Sequence, residues 1–374
     1  MTVMRAALPC LVAALLTAPA HAYKRVPFDK AVFEAAAQAA AEAGLTGVIA
    51  VTDTHREIFR LATGPEAGAK LWPWGSLSKQ VAAALTMRLI DKGRLTLETA
   101  IGGALPDFPN SQKAGVTVRQ LLTHTTGLAS PETTTPGENG VPSFYLRSDP
   151  RAGTRDDAVG YCAGTPSGPT GGYAYNNCDT IVLGAVLEAS LGRQLSSLLQ
   201  DEIAKPAGMT SLRFATPGEH PVEARGGEGK VPRINIATMG IGGALVGTVA
   251  DALAFDRALM NGTLVSDKGT AVMWTGDPAL GFAAFGALAF SAPLAGCDGE
   301  VKLIERRGSI DGVQMRNIIA PDEKLALVIF TDNADAAFGD IREGEGVSYD
   351  LASAAFCAKS EAEKEKAEKE KPPG

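Results

Sequence analysis

Two residues three positions apart, Ser76 and Lys79, are the sharpest candidates for chemistry in this sequence. Serine is a weak nucleophile unless a neighbouring base accepts its proton. On the first turn of a helix such residues share a face, so the amine would lie within reach of the hydroxyl. A buried lysine can lose its proton and act as that base. On spacing alone, however, an N-cap serine followed by a surface lysine is the better explanation.

A second candidate is Tyr175-Asn176-Asn177, which precedes the apolar run 181–187. The phenol of Tyr175 could share in proton transfer. The amide of Asn177 could hydrogen-bond the carbonyl of an amide or ester substrate. Tyrosine and asparagine are common in loops, so this motif is also weak when taken alone.

A third candidate lies at the end of an apolar stretch, where Arg306 and Arg307 are followed by Gly308 and Ser309. A glycine there lets a substrate approach the backbone of a strand edge. A backbone N–H beyond it could stabilise an oxyanion. A basic strand end followed by a turn would explain the same four residues.

Taken in chain order, the three motifs and their surroundings resemble the serine β-lactamase and penicillin-binding protein superfamily, in its class C β-lactamase, DD-peptidase and esterase branch. The resemblance covers most of residues 28–357. The matching stretches are Trp74–Gln80, Leu121–Leu128, Tyr175–Asn177 with Leu183 and Gly184, Lys205–Met209, and Gly242–Leu245 with Thr248 and Asp251.

The resemblance implies a role for each candidate residue. Ser76 would be the acylated nucleophile, and Lys79 and Tyr175 would pass its proton to the leaving group, with the formal base left open. Asn177 would orient the acyl side chain. The backbone N–H groups of Ser76 and Ser309 would form the oxyanion hole. The resemblance implies no metal and no cofactor.

The sequence departs from the family at the third motif, which usually has Lys or His, then a small residue, then Gly. Arg306 and Arg307 occupy the first two places. Strand alternation would put Arg306 and Gly308 on one face and Arg307 on the other. Arginine grips a carboxylate but does not readily release a proton. We therefore expect Arg306 to face the cleft and bind an acidic or carbonyl group, and we expect inefficient β-lactam hydrolysis.

The apolar pattern predicts the elements that must position these residues. Two early and four late strands, separated by a helical middle, predict one sheet built from both chain ends. The resemblance implies an α/β fold of the α+β type, in which this sheet is antiparallel and flanked by helices. An inserted, mostly helical domain completes it, as in β-lactamases and transpeptidases. The predicted sheet domain comprises 23–75 and 282–358, and the helical domain 76–281. The predicted strands are 47–51, 58–62, 285–290, 301–306, 314–319 and 325–331.

Both chain ends have distinctive compositions. Residues 1–22 predict a cleaved secretory signal: a charge at Arg5, an apolar run, and the small-x-small site Ala20-His21-Ala22. The apolar run is short for a spanning helix, so we expect no stable membrane anchor. Residues 359–374 alternate Lys and Glu, which predicts a solvated or disordered tail. We therefore expect a periplasmic or secreted protein.

Four cysteines remain after the predicted signal: Cys162, Cys178, Cys297 and Cys357. An even count in an exported protein permits two disulfides, with three possible connectivities. Pairing neighbours in sequence would join 162 to 178 and 297 to 357. Four buried thiols are nearly as good an explanation.

Composition narrows the function classes. The 374 residues are 45% hydrophobic and carry a formal charge of −7, which fits a packed globular protein and argues against a general nucleic-acid binder. An α/β-hydrolase is disfavoured because Gly-x-Ser-x-Gly is absent and histidines are few. We expect an exported, monomeric serine hydrolase that acts through an acyl-enzyme on an amide or ester. Its substrate, a small molecule or a peptidoglycan-derived peptide, could be a D-amino-acid peptide, an ester or a β-lactam, and the sequence does not choose between them. The alternative is a catalytically inactive penicillin-recognising or peptidoglycan-binding protein.

Overall fold

The computed structural model describes residues 27–357, except for 70, 138–139, 150, 152–153, 165–166 and 227–232. The predicted signal peptide (1–22) and charged tail (359–374) lie outside the described residues, and both stay predictions. Within the described ranges, no helix is both long enough and apolar enough to cross a membrane.

A six-stranded antiparallel sheet forms the centre of the fold, in the order β2-β1-β9-β8-β7-β6, and a three-stranded sheet has the order β3-β5-β4. The strands are β1 (Gly47–Thr52), β2 (Glu57–Thr63), β3 (Trp72–Pro73), β4 (Arg213–Phe214), β5 (Leu245–Gly247), β6 (Leu288–Pro293), β7 (Glu300–Ile310), β8 (Val313–Ala320) and β9 (Leu325–Thr331).

The helices lie on both faces of the large sheet and between the two chain segments that form it. They are α1 (Lys30–Glu42), α2 (Ser78–Asp91), α3 (Ile101–Ala104), α4 (Val118–Leu122), α5 (Arg155–Asp157), α6 (Asn177–Leu191), α7 (Leu195–Leu199), α8 (Lys205–Ala207), α9 (Val249–Met260), α10 (Asp267–Met273) and α11 (Val347–Phe356). Short 3₁₀ turns and two single-turn π segments, Ala158–Cys162 and Gln200–Ala204, join several of them.

Apolar side chains cover both faces of the sheet, which explains why the central strands β1 and β9 are buried along their whole length. On one face α1 and α11 pack with side chains such as Phe33 and Leu351. On the other face α2 and α9 pack in a cluster that continues through α6. The predicted fold class is confirmed. Because the second cluster is continuous from sheet to helices, the predicted domain division rests on chain topology and stays a prediction.

One predicted strand is displaced. The strand expected over 285–290 begins at Leu288 and ends at Pro293. Gly286, with φ +72°, turns the chain where its backbone packs against α2: a Cβ there would lie 2.3 Å from the carbonyl oxygen of Lys79. The close approach requires a glycine turn and excludes a continuous strand. Apolar composition alone could not reveal this contact.

The four cysteines form the two disulfides obtained by pairing neighbours in sequence, Cys162–Cys178 and Cys297–Cys357. That pairing is confirmed, and the alternative of four buried thiols is wrong. The first disulfide joins a π segment to the second residue of α6, and the second joins the loop after β6 to the end of α11.

Removing either disulfide should lower the free energy of unfolding, and the loss should be larger for the longer of the two closed loops. The paired cysteines are 16 and 60 residues apart in sequence. Chain entropy predicts a loss of about 3 kcal/mol for Cys162→Ser with Cys178→Ser, and about 4 kcal/mol for Cys297→Ser with Cys357→Ser. Urea unfolding of both double variants measures the two losses. A larger loss for the 16-residue loop would contradict the entropic account.

Candidate active site

Ser76 lies at the junction between the two halves of the fold. It occupies a 3₁₀ turn, Gly75–Leu77, between β3 and α2, and only 9% of it is exposed. Gly75 has φ +46°, and a Cβ there would lie 2.9 Å from Ile310 at the end of β7. This turn therefore packs tightly against β7, which brings Ser76 beside the third predicted motif.

Lys79 is one helical turn further on and only 2% exposed. Its Nζ donates to Asn177 Oδ1 and to the carbonyl oxygen of Gly242, both at 2.7 Å, and lies 3.4 Å from Ser76 Oγ. Asn177 and Gly242 thus accept two of the hydrogen bonds that Nζ can make, and the third position on Nζ is directed at Ser76 Oγ. The predicted serine–lysine pair is brought together as the helical spacing implied.

Tyr175 completes the group from the loop before α6. Its hydroxyl lies 2.6 Å from Ser76 Oγ and accepts a hydrogen bond from Arg306 Nη2 at 2.8 Å. The Arg306 guanidinium also lies 5.1 Å from the centre of the Tyr175 ring, within cation–π range. The tyrosine is 41% exposed, yet its hydroxyl is directed at the serine.

The electrostatics favour proton transfer at neutral to mildly basic pH. Burial lowers the pKa of the Lys79 amine, and the charge of Arg306 acts in the same direction. Burial raises the pKa of Tyr175, but the charges of Arg306 and Lys79 and its hydrogen bonds outweigh it, and the pKa falls to about 8. Both groups can therefore exist in their basic forms closer to pH 7 than free side chains would.

The β7–β8 hairpin determines what Gly308 and Ser309 present to Ser76. Its two turn residues, Asp311 and Gly312, both have positive φ, and Ile310 pairs with Val313. In such a two-residue hairpin the closing pair exchanges both hydrogen bonds. Alternation then makes the Ser309–Gln314 pair non-hydrogen-bonded, so the Ser309 N–H points away from β8.

Gly308 lies directly against the serine backbone. A Cβ at this position would lie 3.4 Å from Ser76 N and 2.1 Å from Met315 Sδ. Only a glycine therefore lets β7 lie this close to the turn that carries Ser76. The free N–H of Ser309 next to it and the N–H of Ser76 supply the donors expected of an oxyanion hole.

The two arginines of the third motif have different environments. Both line the cleft, and the guanidinium of Arg306 contacts Tyr175. Arg307 extends on the opposite face, where it pairs with Glu305 and Asp340. A substrate-binding role for Arg306 stays a prediction, because its observed partner is the tyrosine hydroxyl.

Asn177 makes contacts that the sequence did not indicate. Its Oδ1 accepts from Lys79, and its Nδ2 donates to Tyr145 OH at 2.8 Å. Tyr145 in turn donates to Glu132 at 2.5 Å. Asn177 therefore links the lysine to a loop tyrosine, and its predicted role toward an acyl side chain stays a prediction. No sequence motif marked Tyr145, whereas Gly242 lay within a matching stretch.

His124 does not reach the serine group directly. Its Nδ1 hydrogen-bonds Asp179 at 3.0 Å, and its ring packs 4.8 Å from the ring of Tyr175. Burial lowers the pKa of His124. These contacts place His124 between Asp179 and Tyr175, where its ring packs against the tyrosine. Among the described residues, no cluster of His, Cys, Asp or Glu could hold a metal ion.

A cleft of about 450 Å³ opens onto Ser76. Tyr173 and Tyr175 line one side, and the end of β7 with the facing part of β8 lines the other. It contains Ser76, the Tyr175 hydroxyl and the strand edge with the free N–H of Ser309. Such an arrangement is suited to acyl transfer.

The chain belongs to the β-lactamase family, because the family model described as Beta-lactamase matches residues 32–344. Esterase EstB of Burkholderia gladioli is 31% identical over 200 residues, which covers 48% of this chain and 50% of that protein. Penicillin-binding protein 4 of Amycolatopsis lactamdurans is 28% identical over 226 residues, 55% of each chain. The chain thus matches about half the length of these curated relatives.

Solved structures show the same fold at low identity. A D-stereospecific amidohydrolase from Streptomyces sp. superposes with a TM-score of 0.69 at 22% identity, covering 89% of this chain and all of that one. A D-amino acid amidase from Ochrobactrum anthropi SV3, complexed with D-phenylalanine, has a TM-score of 0.67 at 20% identity, covering 87% and 97%. The family and these neighbours include hydrolases of esters and amides.

The reactivity of Ser76 should increase with pH through about 8, because the basic form of Tyr175 accumulates above its pKa. Arg306→Gln removes a charge that lowers this pKa, so the midpoint should move to higher pH. The rate of labelling by a fluorophosphonate across pH 6–10, read by intact mass, measures both midpoints. Arg60→Gln, at the far edge of the sheet, is the matched control, and coincident profiles for all three proteins would contradict the prediction.

Gly308→Ala should slow acylation of Ser76 more than tenfold, because the added methyl overlaps Met315 Sδ and touches Ser76 N, so that Met315 or the strand pair must shift beside the serine turn. Gly103→Ala is the control, since a Cβ there meets nothing within 4 Å. Fluorophosphonate labelling rates and thermal midpoints of both variants separate a local effect from unfolding. Equal labelling rates would show that this close approach is not needed.

Proposed function

We propose that this protein is a serine hydrolase that acts through an acyl-enzyme on an ester or amide, with Ser76 as the nucleophile. The observation that carries the proposal is the 2.6 Å contact between Ser76 Oγ and Tyr175 OH, next to the buried amine of Lys79. A hydroxyl in contact with a phenol of lowered pKa is activated for attack.

The arrangement supports a complete reaction. Tyr175 or Lys79 takes the Ser76 proton while Oγ attacks the substrate carbonyl, and the N–H groups of Ser76 and Ser309 stabilise the oxyanion. The tetrahedral intermediate collapses when the same proton passes to the leaving group, which departs and leaves Ser76 acylated. Water then attacks the ester, its proton moves back through the same groups, and Ser76 is regenerated. No metal or cofactor takes part in this proposal.

The distances to Ser76 Oγ support one choice of base. Lys79 uses two donors on Asn177 and Gly242, and its third position faces Ser76. Tyr175 holds Ser76 at closer range than the amine does. We therefore propose Tyr175 as the group that takes the proton first, with Lys79 and Arg306 stabilising its anionic form.

The substrate class comes from relatives. A named esterase and a penicillin-binding protein are among the sequence relatives, and a D-stereospecific amidohydrolase and a D-amino acid amidase share the fold. We propose an ester or a peptidoglycan-derived D-amino-acid peptide as substrate, turned over by a monomer in the periplasm or outside the cell. The net charge of −7 does not favour a nucleic-acid partner.

Two separate measurements test the proposal: covalent labelling of Ser76 by a fluorophosphonate, and hydrolysis of an ester by unlabelled protein. Wild-type protein should gain the mass of one fluorophosphonate adduct and hydrolyse 4-nitrophenyl butyrate, and Ser76→Ala should do neither. Ser111→Ala, on the surface, is the matched control and should behave as wild type. Turnover that survives in Ser76→Ala would overturn the proposal.

The same experiment distinguishes the non-catalytic alternative. A protein that only recognises penicillin would form a persistent penicillin adduct on Ser76 and hydrolyse no ester or D-alanyl-D-alanine peptide. A hydrolase would release the acyl group, so its adducts with good substrates would be transient. Intact mass at increasing times after mixing reads the lifetime of the adduct directly.

A further inference from the structure

Three buried polar side chains join α2, α9 and β8 at a point one residue beyond Lys79. They are Gln80, Asp256 and Asn317, and they are 4%, 0% and 2% exposed. Asn317 Nδ2 donates to Asp256 Oδ1 at 2.7 Å and to Gln80 Oε1 at 3.1 Å. The proposed reaction uses none of the three.

Two oxygen atoms of this cluster have no donor. Asp256 Oδ2 and Asn317 Oδ1 are both buried without a hydrogen-bond partner among the residues that the structure describes. A buried carboxylate with a single hydrogen bond is costly when ionised, and so is a buried amide oxygen without a donor. One proton on Asp256 Oδ2 removes both costs, because a carboxylic acid and a primary amide have matching donor and acceptor groups.

Few charges surround Asp256 that could stabilise its anion. The strands β1 and β9, which pack against α9, contain no charged residue. Arg257, the next residue of α9, donates to Thr52 Oγ1 at 3.0 Å. Charged residues of other neighbouring elements have partners of their own: Lys205 of α8, Lys79 of α2 and Arg306 of β7. Burial therefore dominates and raises the pKa of Asp256 to about 8, although Asn317 and Arg257 oppose it.

The cluster also determines how α2 is held at the active site. Lys79 is hydrogen-bonded on the side of α6, and Gln80, the next residue, is hydrogen-bonded to Asn317 on the side of the sheet. Successive side chains of a helix point about 100° apart, so these two contacts fix the rotation of α2 about its axis. Rotation matters because Lys79 Nζ lies 3.4 Å from Ser76 Oγ and its charge lowers the pKa of Tyr175.

We propose that Asp256 is a neutral acid in the working enzyme, that its Oδ2–H donates to Asn317 Oδ1, and that this two-point pair positions Gln80 and the Lys79 turn of α2. The pair holds the Asn317 amide in the orientation that directs an N–H at Gln80. Asp256 and Asn317 are therefore positioning residues. Their role toward Lys79 rests on the proposed function of Ser76, whereas the neutral acid does not.

Asp256→Asn tests the neutral acid, because an amide reproduces the donor and acceptor of a protonated carboxyl and cannot ionise. Between the pKa of an unfolded aspartate, about 4, and about 8, the native state retains a proton that the unfolded state has lost. Wild-type stability should fall with rising pH across that window and then level off. The thermal midpoint of Asp256→Asn relative to wild type should therefore increase by about 5 °C between pH 5 and pH 8. Asp107→Asn, on the surface, is the matched control and should parallel wild type.

Gln80→Met tests the positioning, because methionine retains the length of glutamine and lacks its acceptor. Lys79 should shift, so a fluorophosphonate should label Ser76 roughly fivefold more slowly at pH 7. The midpoint of the labelling rate should move to higher pH, because a displaced Lys79 stabilises the Tyr175 anion less. A loss of stability alone would not move this midpoint. Gln38→Met, exposed on α1, is the matched control and should label as wild type does.

The two variants should differ in what they change. At pH 7 Asp256→Asn should label like wild type, and a difference in thermal midpoint that does not vary with pH would overturn the neutral acid. A wild-type rate and midpoint of labelling in Gln80→Met would overturn the positioning. If Gln80→Met does not fold, wild type and Asp256→Asn are compared at pH 9, where ionisation breaks the wild-type pair. Slower labelling of wild type then supports the positioning, and equal rates overturn it.

If the wild type takes no label, the proposed function fails, and the thermal midpoints still decide the neutral acid. Amide hydrogen exchange in the first turn of α2 then decides the positioning. Faster exchange in Gln80→Met than in wild type supports it, and equal exchange overturns it.

Discussion

The burial of the Lys79 amine is the constraint on which the rest of this site depends. A buried amine must be surrounded by acceptors, and here they come from two distant parts of the chain: the side chain of Asn177 at the start of α6 and the carbonyl oxygen of Gly242 before β5. Satisfying Lys79 therefore requires that α2, α6 and the 242 turn meet at one point. That meeting point also places Tyr175 and Ser76 in contact.

The β7–β8 hairpin is the second fixed part of the site. Its two-residue turn sets the register, and the register sets which N–H groups are free and which side chains share a face. Gly308 then permits backbone contact with the serine turn. A tight turn and one glycine thus align a free N–H with the nucleophile, while the same alternation separates Arg306 from Arg307.

Arginine in place of the family's usual lysine or histidine changes how the site controls its protons. A guanidinium remains charged across the working pH range, so Arg306 exerts a constant field on Tyr175 and takes no part as an acid. The second departure, Arg307, is accommodated on the opposite face of β7 because buried Glu305 and partly exposed Asp340 neutralise it. The two arginines of the third motif therefore differ in their contacts: Arg306 contacts the hydroxyl of Tyr175, and Arg307 forms ion pairs with Glu305 and Asp340.

The helical spacing of Ser76 and Lys79 and the apolar pattern are local, so the sequence by itself predicted that these two side chains lie close together and where most of the strands run. The neighbour pairing of the cysteines was one of several possibilities in sequence. Contacts between distant segments were decided only by tertiary structure: the turn at Gly286 against α2, the bond from Asn177 to Tyr145, and the packing of Arg316 on Phe338. These contacts result from close packing and from the need of buried polar groups for hydrogen-bond partners. Neither can be predicted from the sequence until it is known which segments meet.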